Sequence, residues 1–337
     1  MNVLVSGGTG FIGRALVGKL IENGNKIVIL TRDKRKVDSF LKEKVEVLET
    51  DICNSALLEN LVLKLQCIDA FIHLAASLDY FGDKKRLFRV NVEGTVNLFN
   101  LAKRNRIKKF AYISSIEAIG TIDKESIPAD ETFVCRPVST YGESKLEAES
   151  YLKKYAERID LQVCTLRLGN VYGPGSPSFI VPIANAIINK DKLLNFLPVY
   201  GERYLHPAYI TDIVEGIIKS IQDFDTAKTY ILAGEEYITI GRLFELIAQE
   251  LNVDMNLRSK KRSIKDVLYL NLRKRIHRFC KKADLLTYFM SGEGRRIHRA
   301  YSIEKAKKEL GYSPKVSLRN GVAKTIEWAK RKGLLKD

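Results

Sequence analysis

A seven-residue turn near the start of the chain, GGTGFIG, contains four glycines. It lies between an apolar segment, Val3–Val5, typical of a buried strand, and a periodic segment, Phe11–Asn23, typical of a helix. Glycine is unfavourable inside regular structure, so the turn needs bare backbone for a reason. With the spacing Gly7-x-x-Gly10-x-x-Gly13, backbone amides and the positive helix end can approach a pyrophosphate that a Cβ would block. A tight structural turn would explain the glycines alone, but the flanking strand and helix favour a dinucleotide site.

Short apolar segments alternate with longer periodic ones in the first half of the chain. The apolar segments are predicted as strands: Val3–Val5, Lys26–Leu30, Val45–Leu48, Ala70–Leu74, Lys108–Ile113 and Gln162–Leu168. The periodic segments are predicted as helices: Phe11–Asn23, Leu57–Leu65, Leu87–Arg104, Ser139–Arg158, Ile240–Leu251 and Ile303–Leu310. Right-handed strand–helix–strand crossovers produce a parallel sheet covered on both faces. The predicted fold class is therefore α/β, a Rossmann-type doubly wound parallel sheet.

The alternation stops after residue 170, and four prolines interrupt the pattern that follows: Pro174, Pro177, Pro182 and Pro198. We expect residues 1–170 to form an NAD(P)-binding Rossmann domain, with residues 205–235 returning to it. Residues 171–204 and 236–337 would form a smaller C-terminal α+β domain that binds a small-molecule substrate.

Composition excludes several classes of protein. The 337 residues contain 56 Lys and Arg against 40 Asp and Glu, a net charge of +16. No apolar run approaches the roughly 18 residues of a membrane-spanning helix, and no signal peptide is recognisable, so we expect a cytoplasmic protein. The five cysteines are scattered and form no CxxC, which indicates reduced thiols and no metal site.

Residues 258–299 are strongly basic, with 14 Lys and Arg against three acids. Apolar residues recur there every three to four positions: Ile264, Val267, Leu268, Leu272, Ile276 and Phe279. This pattern indicates an amphipathic basic helix. We favour packing of its apolar side on the substrate domain; the alternative is peripheral contact with the inner membrane face. Nucleic acid is not expected, because the segment lacks interleaved aromatic residues or a known binding module.

The end of the second predicted strand bears on the choice of dinucleotide. An acidic residue there would bind the adenosine ribose and favour NAD. The sequence has Thr31 at that point, followed by Arg32 and Asp33. A guanidinium can pair with a 2′-phosphate, while Asp33 keeps NAD possible. The sequence therefore favours NADP(H) over NAD(H).

Two further motifs combine into a candidate catalytic group. YISS, Tyr112–Ser115, ends a predicted strand, and YGESK, Tyr141–Lys145, begins a predicted helix. The four-residue spacing places Tyr141 and Lys145 on one helix face, where the ammonium can stabilise a phenolate. A serine hydroxyl can hold a substrate oxygen while the tyrosine transfers its proton. The combination predicts hydride-transfer chemistry beside a dinucleotide.

With these motifs the chain resembles the extended short-chain dehydrogenase/reductases, also called the NAD-dependent epimerase/dehydratase family, over nearly its whole length. The matching motifs are VLVSGGTGFIG, HLAAS at 73–77, NVEGT at 91–95, YISS, YGESK, RLGNVYGPG at 167–175 and KAKKELGYSP at 305–314. The resemblance implies a cofactor site made of Gly7, Gly10, Phe11, Ile12, Gly13, Asp51, Ile52 and Ala75. It also implies a homodimer formed through the helices around Leu87–Arg104 and Ser139–Arg158.

The same resemblance implies catalytic roles. Tyr141 would be the general acid/base and Lys145 would bind the nicotinamide ribose. Ser115, five residues before Gly120, would orient the reacting oxygen in preference to its neighbour in sequence. Glu117 and Asn170 would contact substrate.

Departures from the family pattern bear on the reaction. Sugar-nucleotide dehydratases carry an acid where this chain has Ile116, so dehydration is disfavoured. Gly292 and Ser302 stand where many epimerases have an arginine and an acid. The first expectation is epimerase/dehydratase-like hydride transfer at a secondary alcohol or ketone carbon of a nucleotide-activated sugar. The alternatives are an NADPH-dependent ketone reductase or 3β-hydroxysteroid/dihydroflavonol-type dehydrogenase, and a non-catalytic cofactor-binding module.

Overall fold

The computed structural model describes residues 1–78, 83–156, 161–176, 178–196, 202–222, 227–254, 272 and 298–335. The basic helix expected within 258–299 falls outside these residues, apart from Leu272, His298 and Arg299. In the part of the chain so described, no helix is long and apolar enough to cross a membrane.

A seven-stranded parallel sheet forms the centre of the molecule, in the order β10-β6-β5-β4-β1-β2-β3. Its strands are β1 Asn2–Ser6, β2 Lys26–Thr31, β3 Val45–Glu49, β4 Ala70–His73, β5 Lys109–Ser115, β6 Gln162–Leu168 and β10 Lys228–Leu232. Four short strands lie outside this sheet: β7 Asn170–Tyr172, β8 Tyr204–Leu205, β9 Pro207–Tyr209 and β11 Ile238–Thr239. The prediction of a doubly wound parallel sheet is confirmed. Strand β10 was not among the predicted strands, although it lies within residues 205–235, which are expected to return to this domain.

The helices occur in the following order along the chain. They are α1 Phe11–Glu22, α2 Ser39–Lys42, α3 Ser55–Glu59, α4 Lys84–Phe88, α5 Gly94–Arg104, α6 Thr140–Ala156, α7 Ile180–Ile188, α8 Ile210–Lys219, α9 Ile240–Leu251, α10 Glu304–Leu310 and α11 Leu318–Arg331. A π-helical turn, Arg89–Glu93, joins α4 to α5. The predicted helix Leu57–Leu65 is divided between α3 and a 3-10 turn at Val62–Leu65.

The sheet is buried on both faces because its strands are apolar at successive positions. Val3 and Val5 of β1 belong to one core, with α1 and α8, and Leu4 between them belongs to the other core, with α5 and α6. Each such side chain removed from water contributes about 1.5–3 kcal/mol. This two-sided core holds the carboxyl ends of the strands in fixed positions.

Strand order reverses between β1 and β4, since the chain continues to β2 and β3 on one side and to β5, β6 and β10 on the other. In open parallel sheets, ligands bind at the carboxyl edge beside such a reversal. The turn after β1 and the loop after β4 meet there, and they contain Gly7 and Ala75.

Candidate active site

The glycine turn after β1 is tightly closed. Gly10 N donates to Gly7 O at 3.1 Å, and α1 begins at the next residue. Gly7 has a φ of +78°, and a Cβ there would lie 2.6 Å from Ala75 N. A Cβ at Gly13 would lie 2.7 Å from the Cα of Gly8 and still closer to Gly7 O. The turn therefore presents backbone and a helix N-terminus without side chains, which fits the diphosphate of a dinucleotide.

Phe11 and Ile12 open α1 and are half-buried. The Phe11 ring lies beside Gly175, where a Cβ would be 3.4 Å from its Cδ2. The start of α1 and the segment after β7, which belongs to the predicted substrate domain, are therefore in contact in the folded chain.

Asp51 and Ile52 lie just beyond the end of β3, at the same edge of the sheet. Asp51 Oδ1 accepts a hydrogen bond from Cys53 N at 3.0 Å. Ile52 is buried and so close to Gly94 of α5 that a Cβ on Gly94 would be 2.8 Å from its Cδ1. Both residues are thus held at the edge of the sheet where the family resemblance implies part of the cofactor site.

The residues after β2 differ in how their charges are used. Asp33 accepts from Arg35 Nε at 2.8 Å and Nη2 at 3.1 Å, and this pairing lowers the pKa of its carboxyl group. Arg32 is exposed and makes no hydrogen bond or ion pair with any residue that the structure describes. The Asp33 carboxylate is therefore paired with a neighbouring side chain, whereas the Arg32 guanidinium has no such partner among the described residues.

Ser115, Tyr141 and Lys145 come together at the end of β5 and the start of α6. Tyr141 is 6% exposed and Lys145 is 2% exposed. The Ser115 hydroxyl accepts from Glu117 N at 3.2 Å and lies close enough to the Tyr141 phenol to influence its pKa. Lys145 Nζ donates to Ile113 O at 2.7 Å and lies 5.9 Å from the centre of the Tyr141 ring. Proton transfer at the phenol, beside a cation, is the chemistry that this grouping permits.

The neighbouring serine points to the other side of β5, because successive side chains of a strand alternate. The Ser114 hydroxyl donates to the carboxylate of Glu149 on α6. Glu149 in turn is paired with Arg167 of β6, at 2.7 Å between Oε2 and Nη2. Ser115 is therefore the serine that faces Tyr141.

Burial governs protonation in this group. Burial raises the pKa of Tyr141, the charge of Glu117 adds to the rise, and the hydrogen bond with Ser115 opposes it. Burial lowers the pKa of Lys145 to about 7, and the charge of Glu149 opposes that fall. Without ligands, the phenol is protonated and the ammonium group is easily deprotonated.

Glu117 is held by the protein itself. Its Oε1 accepts from Arg299 Nε at 3.0 Å and Nη2 at 2.7 Å, and its Oε2 accepts from Ser139 Oγ at 3.3 Å. The side chains of this ion pair are 5% and 11% exposed. The sequence reasoning proposed Glu117 as a substrate contact and did not identify Arg299. Ile116 between Ser115 and Glu117 is buried in the core.

Asn170 begins β7, directly after the carboxyl end of β6. Its backbone N donates to His206 O at 3.0 Å. Its side-chain Oδ1 is buried and has no hydrogen-bond partner in the part of the chain that the structure describes. A buried amide oxygen without a donor is costly, so this position suits a ligand that donates a hydrogen bond.

Asn91 lies in the π-helical turn, and the sequence analysis gave it no site role. Its Oδ1 accepts from Ser77 N at 2.7 Å, and its Nδ2 donates to Ser77 O at 3.1 Å and to Ser144 Oγ at 3.0 Å. Asn91 therefore ties the loop after β4 to the helix that carries Tyr141. Among the described residues, no group of His, Cys, Asp and Glu is arranged to hold a metal ion.

Several known proteins resemble this chain in sequence. The model of the NAD dependent epimerase/dehydratase family matches residues 3–234. A human dTDP-D-glucose 4,6-dehydratase is 28% identical over 342 residues, covering 97% of this chain and 89% of its own.

Solved structures share the fold. A UDP-glucose 4-epimerase of Thermotoga maritima, determined with UDP-glucose, has a TM-score of 0.77 and 24% identity, covering 98% of this chain and 99% of its own. MoeE5, determined with UDP-glucose and NAD, has a TM-score of 0.75 and 22% identity, covering 98% and 99%.

Proposed function

The chain belongs to the NAD-dependent epimerase/dehydratase family, and from this premise we propose that it transfers a hydride at a secondary alcohol or ketone carbon of a nucleotide-activated sugar. The observation that carries the proposal is the grouping of Ser115 with the buried side chains of Tyr141 and Lys145, whose Nζ lies 5.9 Å from the centre of the Tyr141 ring. Ser115 lies at the carboxyl end of β5, one strand away from the reversal between β1 and β4.

Each group has a defined part in the proposed reaction. Tyr141 takes the hydroxyl proton when the alcohol is oxidised and returns it when the ketone is reduced. Ser115 holds the reacting oxygen in line with the phenol. Lys145 supplies the positive charge that the phenolate requires, and its burial keeps water from screening that charge.

The residues around the glycine turn would hold the cofactor. Gly7, Gly10 and Gly13 leave room for a diphosphate at the start of α1, with Phe11 and Ile12 providing the first backbone of the helix. Asp51, Ile52 and Ala75 would line the adenine and nicotinamide sides. Bound there, NAD(P) supplies a reversible hydride acceptor.

The substrate class and the type of reaction are inferred from three features. The relatives described above act, by their names, on nucleotide sugars. Asn170 offers a buried acceptor to a donor on the ligand. Ile116, where dehydratases carry an acid, is buried in the core, so no carboxyl group at that position can protonate a departing hydroxyl. We therefore propose epimerisation or simple oxidation and reduction in preference to dehydration.

The cofactor preference rests on the residues after β2. Because Asp33 is paired with Arg35, its carboxylate is less available to a ribose. The exposed Arg32 guanidinium would pair with a 2′-phosphate. We propose NADP(H) over NAD(H) for this chain.

A homodimer is proposed through α5 and α6. Tyr151 and Tyr155 on α6 are half-buried, and their ring centroids are 4.5 Å apart with the ring planes tilted by 40°. Tyrosines are enriched at protein interfaces. Light scattering of wild-type and Tyr151→Glu protein should give a dimer and a monomer, respectively.

Membrane contact through 258–299 stays a proposal from charge alone. Equal partitioning of the protein with neutral and anionic vesicles would rule it out.

The function is tested by incubating purified protein with UDP-glucose and either NAD⁺ or NADP⁺. Epimerisation yields UDP-galactose with no net change in absorbance at the reduced-nicotinamide band. Net oxidation gives stoichiometric reduced cofactor, which would favour the dehydrogenase alternatives. If neither occurs with a panel of UDP- and dTDP-sugars, and ketones do not consume NADPH, the non-catalytic alternative is favoured. Tyr141→Phe is the negative control.

A further inference from the structure

A short segment, residues 298–302, joins β8 to the loop between β5 and α6. Arg299 N donates to Tyr204 O of β8 at 3.0 Å. On the other side of the segment, Ala129 N of the loop donates to Ala300 O at 3.1 Å. The backbone at Arg299 is therefore held from both sides, close to the loop that separates the catalytic serine from the catalytic tyrosine.

The side chain of Arg299 is buried and extends from this segment to Glu117, 182 residues earlier in the chain. Its Nε and Nη2 both donate to Glu117 Oε1, at 3.0 and 2.7 Å. The other carboxylate oxygen, Oε2, accepts from Ser139 Oγ at 3.3 Å. Both oxygens of Glu117 are thus engaged by groups of the protein, so the carboxylate is fixed in place.

Glu117 is also connected to Ser115. It lies in a 3-10 turn, Ile116–Ala118, that directly follows this serine, and its backbone N donates to Ser115 Oγ at 3.2 Å. A serine oxygen that accepts from this N–H keeps its own O–H for another acceptor. In the proposed reaction that acceptor is the reacting oxygen of the substrate. The position of Glu117 therefore sets the direction in which Ser115 can donate.

Glu117 adjoins the start of α6 as well. Its carbonyl oxygen lies so close to Gly142 that a Cβ on this glycine would collide with it. Ser139, which donates to the Glu117 carboxylate, accepts from Gly142 N at 3.0 Å. After burial, the charge of Glu117 is the next cause of the raised pKa of Tyr141. A guanidinium bonded to that carboxylate opposes its effect on the phenol, because the two charges have opposite signs.

The other ionisable groups around the Tyr141 phenol are separate from this ion pair. Burial raises the pKa of Tyr112 well above its usual range, so that neighbouring phenol is neutral. The charged groups are Lys145 and Glu149 of α6 and the exposed pair of Glu143 with Lys84 of α4. None of them changes in variants of Glu117 or Arg299, so a difference between such variants reports on the ion pair.

We propose that Arg299 is a positioning residue for the catalytic group: it holds Glu117 where the Glu117 N–H orients the Ser115 hydroxyl, and its charge offsets the carboxylate beside Tyr141. The effect on catalysis rests on the proposed function, whereas the holding of Glu117 does not. Because Arg299 acts through Glu117, its loss should alter both the Glu117 amide and the ionisation of Tyr141.

Amide hydrogen exchange of the cofactor-free full chain tests the holding of Glu117. In Arg299→Met, the Glu117 amide should exchange about tenfold faster relative to the amides of β1, which correct for any general loss of stability. Arg299→Lys replaces the two-nitrogen contact with one ammonium group and should show a smaller increase. Arg136→Met removes an exposed cation from the same loop and is the matched control, with wild-type exchange at Glu117.

The pH dependence of kcat/KM for alcohol oxidation, the step that also begins epimerisation, tests the effect of the charge. This rate rises with pH as the Tyr141 phenol loses its proton. Arg299→Met leaves the Glu117 charge unopposed and should move the rise to higher pH by about one unit. Glu117→Gln should move it to lower pH, and adding Arg299→Met to Glu117→Gln should return it toward the wild-type position. This second comparison decides the matter where Arg299→Met alone does not fold, since neither protein buries a carboxylate without its partner.

Wild-type exchange at Glu117 in both Arg299 variants, or a pH profile that does not respond to loss of Arg299 in either background, would overturn the proposal. If exchange at Glu117 responds but wild-type protein turns over no substrate, the positioning of Glu117 stands and the proposed function fails. If wild-type protein turns over substrate while exchange and pH profile stay unchanged in the variants, the proposed function stands and the role of Arg299 is lost.

Discussion

Lys145 donates from its buried ammonium group to the backbone carbonyl of Ile113, and the same nitrogen lies 5.9 Å from the centre of the Tyr141 ring. The lysine is therefore held on the β5 side of the phenol before any ligand arrives. Burial lowers the pKa of this lysine, and the charge of Glu149 only partly opposes that fall. The fold fixes the position of the Lys145 nitrogen, and the protonation of this nitrogen depends on which ligands enter the site.

The first prediction concerns Tyr141. Removing its hydroxyl in Tyr141→Phe removes the proposed general acid/base and should reduce kcat by about 10²–10⁴. Tyr151→Phe, on the opposite end of the same helix and half-exposed, should leave kcat within about twofold of wild type. Steady-state assays with the substrate that the panel of UDP- and dTDP-sugars identifies compare the two variants. A wild-type rate in Tyr141→Phe would remove the phenol from the mechanism.

The second prediction is a pH dependence of stability caused by Lys145. Its folded-state pKa is about 7, below the ordinary lysine value, so the unfolded chain binds more protons than the folded chain above that pH. The contribution of Lys145 therefore destabilises the fold at and below pH 7, and the penalty diminishes as pH rises toward about 10. Lys145→Met should be more stable than wild type at pH 6.5, by an amount that shrinks at pH 9.5.

Urea unfolding of the cofactor-free proteins at the two pH values measures this difference. Lys153→Met, whose ammonium is exposed, is the control and should show no such pH dependence. A difference that grew with pH would contradict the assigned direction of the pKa shift.

The third prediction compares two glycines of α1. A Cβ at Gly13 would clash with the backbone of the glycine turn, and Gly13→Ala should lose several kcal/mol of stability and the cofactor site with it. A methyl group at Gly18 would point into open space, with no atom from outside its own helix within 4 Å, so Gly18→Ala should stabilise the helix by about 0.5–1 kcal/mol. Thermal unfolding and titration with NADP⁺ test both variants, and similar behaviour of the two would disprove the close packing of the turn.

The fourth prediction concerns the ion pair of Glu117 and Arg299. Arg299→Met leaves a buried carboxylate without its partner and should cost about 3–5 kcal/mol of stability. Combining it with Glu117→Gln removes that charge, so the double variant should regain a large part of the loss. A double-mutant cycle by urea unfolding measures the coupling. Additive effects would show that the two side chains do not act as a pair.

Local patterns in the sequence predicted the parts of the site that depend on short spacings. The glycine turn and the Tyr141–Lys145 pair are each contained in a few residues, and periodicity places them on a turn and on a helix. Ser115 was chosen over Ser114 by resemblance; the alternation of β5 supplies the physical reason. Asp33 was left open, although its pairing with Arg35 two residues away is a local contact of the kind that sequence can suggest.

Long-range contacts could not be predicted from short spacings in the sequence. The same is true of positions where a residue that usually breaks a helix is accepted. Arg299 is separated from Glu117 by 182 residues, and no spacing rule links them. Strand β10 has five residues, and its place at the sheet edge depends on pairing with β6. Pro182 is one of the four prolines that interrupt the sequence pattern, yet it lies in the first turn of α7, where a missing N–H breaks no helical hydrogen bond.

The last prediction concerns cofactor choice and Arg32. If this guanidinium pairs with a 2′-phosphate, Arg32→Ala should raise KM for NADPH by about tenfold or more, which corresponds to about 1.4 kcal/mol of a charge-assisted hydrogen bond. KM for NADH should change little, because NADH has no phosphate at that position. Lys34→Ala, two residues away and equally exposed, is the matched control for general loss of positive charge. An equal effect of Arg32→Ala on both cofactors would show that Arg32 does not recognise the phosphate, and tighter NADH binding by wild-type protein would reverse the proposed preference.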